Sequence, residues 1–346
     1  MTGEEPAKKE GEQKKSGFVF LPIIYYTKET KVAAGAAAVY YFRALGNKLN
    51  SRPSSIRTRM VYTQEGQFRM GLGSDLYFQN EKFRLESNIS FKNFFDKFYG
   101  IGNKTSKDME EKYTSRIFKL KLDFQNRVYS YLNAGIRYEL ENDSIMEVEE
   151  GSQLAKEQIL GSKGGTASGI GFFLNWDSRD NIYFPSSGSY YRFMLTWFLS
   201  NLGSDYDFTE YRLDIRKYIP LFSSHVLAFQ SYMNFISGNA PFQMLSLLGG
   251  ESVMRGFYRG RYRDRNLIAF QMELRIPVWR RLGFASFLGF GDVAGKISHF
   301  NMGEFKYSAG FGMRYLLIPE EKLNIRFDVG FGNDSWGIYI IIAEAF

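Results

Sequence analysis

Residues Leu247–Arg275 read LLGGESVMRGFYRGRYRDRNLIAFQMELR, a glycine- and arginine-rich stretch that runs straight into an alternating segment. From Leu267 to Ile276 one parity carries Leu267, Ala269, Gln271, Glu273 and Arg275, and the other Ile268, Phe270, Met272, Leu274 and Ile276. A period of two with one apolar and one charged face suits a strand with lipid on one side and a polar lumen on the other. Arginine at this density is ordinarily left in water. Here the adjoining strand offers Glu273 and the next offers Asp292, counted as inward by parity. The expectation is a loop folded into a barrel, with Arg255 paired to both acids.

The same alternation recurs outward from this stretch. Sixteen strand-like segments run from Phe18–Tyr26 and Lys31–Arg43 through to Leu323–Phe331 and Gly337–Phe346. Lys119, Lys121 and Asp123 oppose Phe118, Leu120, Leu122 and Phe124, and Glu210, Arg212, Asp214 and Arg216 form another charged row. An even count lets the ends close antiparallel, and each segment is at least the roughly 9 to 11 residues that a tilted strand needs to cross a bilayer. Connections alternate short and long. Asn142 to Gly165 reads as a long polar loop with a short helix around Ser152–Ile159. The fold expected is all-β: a 16-stranded antiparallel transmembrane β-barrel over residues 18–346, with a long loop folded into the lumen. A soluble sandwich hides its apolar face inside and rarely keeps such charged rows beside apolar ones.

Composition narrows the function. Aromatic residues make up 17% of the chain, with 33 Phe, 23 Tyr and 34 Gly against 8 Pro, which favours strands and tight turns. No run of about 18 uncharged apolar residues is present, so no transmembrane helix is expected. With no Cys there is no thiolate chemistry, and the two His, His225 and His299, lie too far apart in the chain to suggest a metal site. No metal or other cofactor is expected. The net charge of +7 has its centre in Met254–Arg265, where five Arg meet one Asp. That excess fits lipid phosphate or lumen acids rather than nucleic acid, because no groove of base-stacking aromatics accompanies it. Residues 1–17 are nearly devoid of apolar side chains and read as a disordered N-terminal tail. They hold no apolar core of a signal peptide, so an outer-membrane destination implies a leader already removed.

Four stretches together carry a family resemblance. Met254-Arg255-Gly256-Phe257 resembles the sixth extracellular loop of the BamA/TamA-type bacterial surface-antigen outer-membrane barrels, and Phe290-Gly291-Asp292-Val293-Ala294-Gly295 resembles their inner-wall strand motif. Asp177-Ser178-Arg179-Asp180, followed by Phe184-Pro185 and Gly188, resembles their periplasmic turn. Ile338, Ile340, Ile342, Glu344 and Phe346 share one parity and end on an aromatic, like the C-terminal signal of outer-membrane barrels.

The resemblance implies a lumen lock of Arg255, Gly256 and Phe257 against Glu273 and Asp292, structural and functional rather than catalytic. It implies assembly or translocation of other outer-membrane proteins through a weak seam between Phe18–Tyr26 and Gly337–Phe346. Pro22 supports a weak edge, since it cannot donate to a ladder. About 17 residues precede the first strand, so the chain reads as a short member without N-terminal POTRA modules. Separate periplasmic or lipoprotein subunits would then receive substrate. A scaffold barrel within a larger outer-membrane complex is the alternative. An inward loop opposes a passive pore, and no nucleophile motif lies near either His to suggest an enzyme.

Overall fold

Alternation of apolar and polar residues builds a sheet that closes on itself. The computed structural model describes residues 16–27, 30–43, 52–319 and 322–346. The first eight strands are β1 (Ser16–Thr27), β2 (Lys31–Phe42), β3 (Ser54–Thr63), β4 (Phe68–Phe78), β5 (Phe83–Phe98), β6 (Glu111–Tyr129), β7 (Leu132–Val148) and β8 (Gly164–Asp177). Next come β9 (Gly188–Phe198), β10 (Phe208–Pro220), β11 (Val226–Gly238) and a short hairpin of β12 (Ser246–Leu248) with β13 (Tyr262–Asp264). The chain ends with β14 (Asn266–Trp279), β15 (Leu282–Ala294), β16 (Lys306–Ile318), β17 (Leu323–Gly332) and β18 (Trp336–Ile342). All but β12 and β13 form one closed antiparallel barrel of sixteen strands, with β11 beside β14 and β1 beside β18.

With an even number of strands, the start of β1 and the end of β18 share one rim. That rim carries the tight turns, such as Arg280–Arg281; the opposite rim carries the long connections, including the excursion between β11 and β14. Ile136, Ile170, Leu174, Leu288, Phe311 and Met313 face outward in an exposed apolar band. Exposed Tyr129, Tyr131, Phe222 and Trp279 border the band at the tight-turn rim, and Tyr62, Trp197, Tyr307 and Trp336 border it at the other. Two aromatic girdles around an apolar belt are the surface a lipid bilayer selects. The lumen-facing parity is polar: a row crosses from Arg57 and Gly73 to Asn88, Lys121 and Glu139.

Three expectations from sequence need correction. The polar stretch from Asn142 is not all loop. β7 continues to Val148, pairing Asn142, Asp143 and Ser144 with Phe118, Ile117 and Arg116 of β6. A strand that rises beyond the hydrocarbon meets water on its outer face, so polarity there does not end the ladder. Ser152–Ile159 holds turns rather than a helix, pinned where Leu154 packs with Phe98 and Phe242. The last strand stops at Ile342 rather than at Phe346, because Ala343 adopts a left-handed φ of 72°. Of the tail expected over residues 1–17, Ser16 and Gly17 belong instead to β1, and residues 1–15 lie outside the described residues.

Candidate functional site

The arginine-rich excursion reaches the interior faces of β14, β16, β17 and β18. Its tip is bent by two left-handed residues, Met254 with φ 61° and Gly256 with φ 110°, on either side of Arg255. Gly256 is required there: a Cβ would lie 2.7 Å from the carbonyl carbon of Phe331 and 2.9 Å from the amide of Gly332. The facing strand is equally bare, since a Cβ on Gly330 would meet the Gly256 nitrogen at 2.8 Å. Glycine on both sides lets two backbones touch. Gly256 donates its N–H to the Tyr339 hydroxyl at 3.0 Å, and the Ser335 hydroxyl donates to its carbonyl at 2.6 Å. Phe257 is fully buried among Leu248, Met254, Tyr262, Leu267, Ala269 and Val293.

Arg255 donates through Nη2 to Glu273 and through Nη1 to Asp328, each at 2.6 Å, with all three side chains fully buried. Its guanidinium lies 3.5 Å from the centroid of the Phe287 ring. Around it, Arg275 donates to Glu273 at 2.8 Å, Arg314 bridges Asp328, Glu273 and Glu344, and Arg326 pairs with Asp328. Four guanidinium groups thus share three carboxylates: Glu273, Asp328 and Glu344. Isolated buried charge costs several kcal/mol per ion after relaxation, on the order of 3–5 when a partner is removed, so such a cluster stands only as a mutually compensated unit. Arg255 is the member supplied by the loop.

Asp292 is not part of this cluster, contrary to the parity count. The register pairs Glu273 with Phe287 and Ile268 with Asp292, which places Asp292 on the outward parity. A bulge at the tight turn, where the register shifts between Pro277 and Trp279, is the cause. One extra residue in a β-hairpin exchanges the two faces of everything beyond it. Asp292 instead accepts a hydrogen bond from Asn103 Nδ2 at 3.0 Å near the long-loop rim, and Asn103 also donates to Glu304. The inner-wall acid is Asp328, in Arg326-Phe327-Asp328-Val329-Gly330. Its signal was present in the alternation of Asn324, Arg326 and Asp328 against Ile325, Phe327 and Val329.

The motif turn follows β8. Arg179 forks onto Asp177 with two contacts of 2.8 Å, and lies over the Tyr190 ring. Asp180 accepts the amides of Ser186 at 2.8 Å and Ser187 at 3.0 Å. Burial pushes its carboxyl up, but the Ser186 hydroxyl and these amides hold it below the usual carboxylate range. Pro185 accepts from Arg275 Nη1 at 3.2 Å, which joins the turn to the lumen cluster. Gly188 has φ 95°, and a Cβ there would stand 2.1 Å from the Ser178 carbonyl oxygen. Gly188→Ala is expected to cost at least about 1–3 kcal/mol, because the strained backbone and the clash add. Urea unfolding in lipid vesicles measures it, and an unchanged midpoint would remove the close-approach argument.

The terminal residues turn inward rather than facing lipid. Glu344 accepts from Arg314 Nε at 3.1 Å and from Asn324 at 3.1 Å. Phe346 is buried with Ala345 against Tyr218, Val226 and Ala228, and its backbone oxygen accepts from Arg275 Nη2 at 3.0 Å. The left-handed Ala343 reverses the parity, and the lumen arginines draw the carboxylate in. Ile340 remains on the outward face of β18. Among the described residues the junction of β1 with β18 holds a single registered pair, Tyr26 with Ile340, whereas β1 and β2 pair from Ser16–Phe42 through Thr27–Lys31. Pro22 lies within β1 opposite Ala36.

A family model described as the Omp85 superfamily domain matches residues 49–336. Among solved structures, BamA from Haemophilus ducreyi lacking POTRA domains 1–3 is similar, with a TM-score of 0.66 at 14% identity. That alignment covers 95% of this chain and 70% of BamA. CdiB from Acinetobacter baumannii gives 0.61 at 10% identity over 95% of this chain, and CdiB from Escherichia coli gives 0.61 at 11% over 94%. This chain spans less than two thirds of either CdiB, 60% and 62%. No curated protein matches it.

Proposed function

The chain belongs to the Omp85 superfamily, and on that footing we propose that it takes part in outer-membrane protein assembly or translocation, through opening of the β1–β18 seam. The observation that supports this reading is that, among the described residues, one registered pair joins β1 to β18 in an otherwise continuous ladder. In lipid an unpaired backbone group costs several kcal/mol, so a barrel does not leave an edge thin without compensation. A thin edge is a place where another strand can pair or pass. The cluster of Arg255, Glu273 and Asp328 complements it by holding the loop against β14 and β17, next to the strand that opens. In this reading Arg255, Gly256 and Phe257 are positioning residues and the chain is not an enzyme. Separate periplasmic or lipoprotein subunits are the proposed partners in substrate recruitment.

Depletion of the protein from its native cell tests the proposal. Unfolded outer-membrane proteins should accumulate in the periplasm, and a mild-detergent purification should carry periplasmic or lipoprotein subunits with nascent barrels. Normal outer-membrane protein levels, with only stable surface proteins co-purifying, would replace this reading by that of a scaffold barrel in a larger complex.

A further inference from the structure

The lumen wall next to the seam differs from the rest. On the far side, inward charges are paired: Arg192 with Asp123 at 2.9 Å, Lys121 with Glu139 at 2.8 Å and Arg212 with Glu210 at 2.6 Å. On the near side Arg57 and Arg59 of β3 and Arg69 of β4 share the inward parity, and no ion pair or hydrogen bond engages their side chains among the described residues. Arg57 and Arg59 are exposed, and they lie over the bare backbones of Gly73 and Gly71: a Cβ on those glycines would stand 3.9 Å and 3.4 Å from the respective Nε atoms. The Arg69 guanidinium lies over the Phe94 ring, 5.4 Å from its centroid.

Beside these arginines the lumen face turns apolar. Inward residues on β2 are Ala33, Gly35, Ala37 and Val39, and on β1 they are Gly17, Val19, Leu21, Ile23 and Tyr25. Val19 is 39% exposed and Leu21 36% exposed, on the same strand whose outer face shows Phe18, Phe20 and Ile24 to lipid. From Phe18 to Ile24 β1 is therefore apolar on both faces, with only the thin seam at its edge.

We propose that this wall binds a phosphate-bearing membrane lipid, its acyl chains along β1 and its phosphate held by Arg57, Arg59 and Arg69. Charge complementarity commits the head to an anion, since unpaired guanidinium groups match phosphate oxygens in bidentate fashion. Apolar surface on both sides of one strand commits the tail to hydrocarbon. An acidic peptide fits less well, because its backbone amides would find small apolar side chains there and no partners. The site stands independently of the assembly reading.

The test is native mass spectrometry of the purified barrel in neutral detergent, titrated with phosphatidylglycerol or phosphatidylcholine. Phosphatidylglycerol should bind preferentially, about tenfold weaker for Arg59→Gln and further weakened when Arg57→Gln and Arg69→Gln are added. None of the three arginines is paired, so the heat-modifiable gel shift of the folded barrel should persist; if the triple variant fails to fold, Arg59→Gln alone and Leu21→Asn carry the test. Leu21→Asn should weaken the full-length lipid while leaving a short-chain analogue unaffected. Equal retention of phosphatidylglycerol by the arginine variants overturns the proposal, as does equal binding of phosphatidylcholine. Displacement by inorganic phosphate alone would show a bare anion site, and displacement by an acidic peptide at lower concentration than lipid would show a peptide site; either result also overturns it.

Discussion

If the proposed seam opening drives insertion, oxidation of a Tyr26→Cys/Ile340→Cys variant is expected to abolish outer-membrane protein insertion by the reconstituted protein, and reduction to restore it. The two positions are registered partners across the seam, within the separation that a disulfide bridges between antiparallel strands. The natural chain has no Cys, so the introduced pair can form no other bond within it. Opening the seam as built breaks on the order of two backbone hydrogen bonds, each worth about 1 kcal/mol net in water and more in hydrocarbon. The neighbouring β17–β18 ladder runs from Ile325–Ile342 through Phe331–Trp336 and would cost several times as much to part. On the proposed reading, thermal fluctuation selects the seam. A Val329→Cys/Ile338→Cys variant, which staples the outward faces of β17 and β18, is the control and should retain activity when oxidised. Equal activity of the seam variant in both redox states would remove seam opening from the mechanism.

How far the sequence reached this arrangement depends on what carries information at a period of two. Strand number, the lipid-facing band and the inward placement of Glu273 follow from alternation within single segments, and these were legible. Register between segments depends on turns, and there a single residue matters. The bulge near Val278 turns Phe287 inward beneath Arg255 and sends Asp292 outward, which no count along β15 alone could reveal. The loop's second acid comes from β17, three strands along the sheet from β14, where the registers run from Arg275 through Ala285 and Gly312 to Asp328, one inward position from the rung of Glu273. The chain end was misread for a related reason. A left-handed Ala343 has no signature in residue type, yet it transfers Glu344 and Phe346 from the lipid side to the lumen.

The lumen cluster decides between two roles for Arg255, and charge arithmetic separates them. Removal of Arg255 leaves Arg275, Arg314 and Arg326 facing Glu273, Asp328 and Glu344, a balanced set in which each acid keeps a guanidinium partner. Arg255→Ala should therefore leave the barrel folded, with unchanged heat-modifiability, while the loop loses its anchor. Proteolysis between Leu247 and Arg265 should become rapid and insertion activity should fall by at least about tenfold, the equivalent of roughly 1.4 kcal/mol in loop occupancy. Arg255→Lys should rescue little, since an ammonium cannot span both carboxylates as a fork while lying flat on Phe287. Asp328→Ala reverses the imbalance: four guanidinium groups then share two carboxylates, and the barrel itself should lose about 3–5 kcal/mol. Urea unfolding in lipid vesicles distinguishes the pair. If Arg255→Ala destabilises the barrel as much as Asp328→Ala, the residue is a brace of the wall. If only the loop is released and activity falls with it, Arg255 is the latch that holds the loop beside the seam strand.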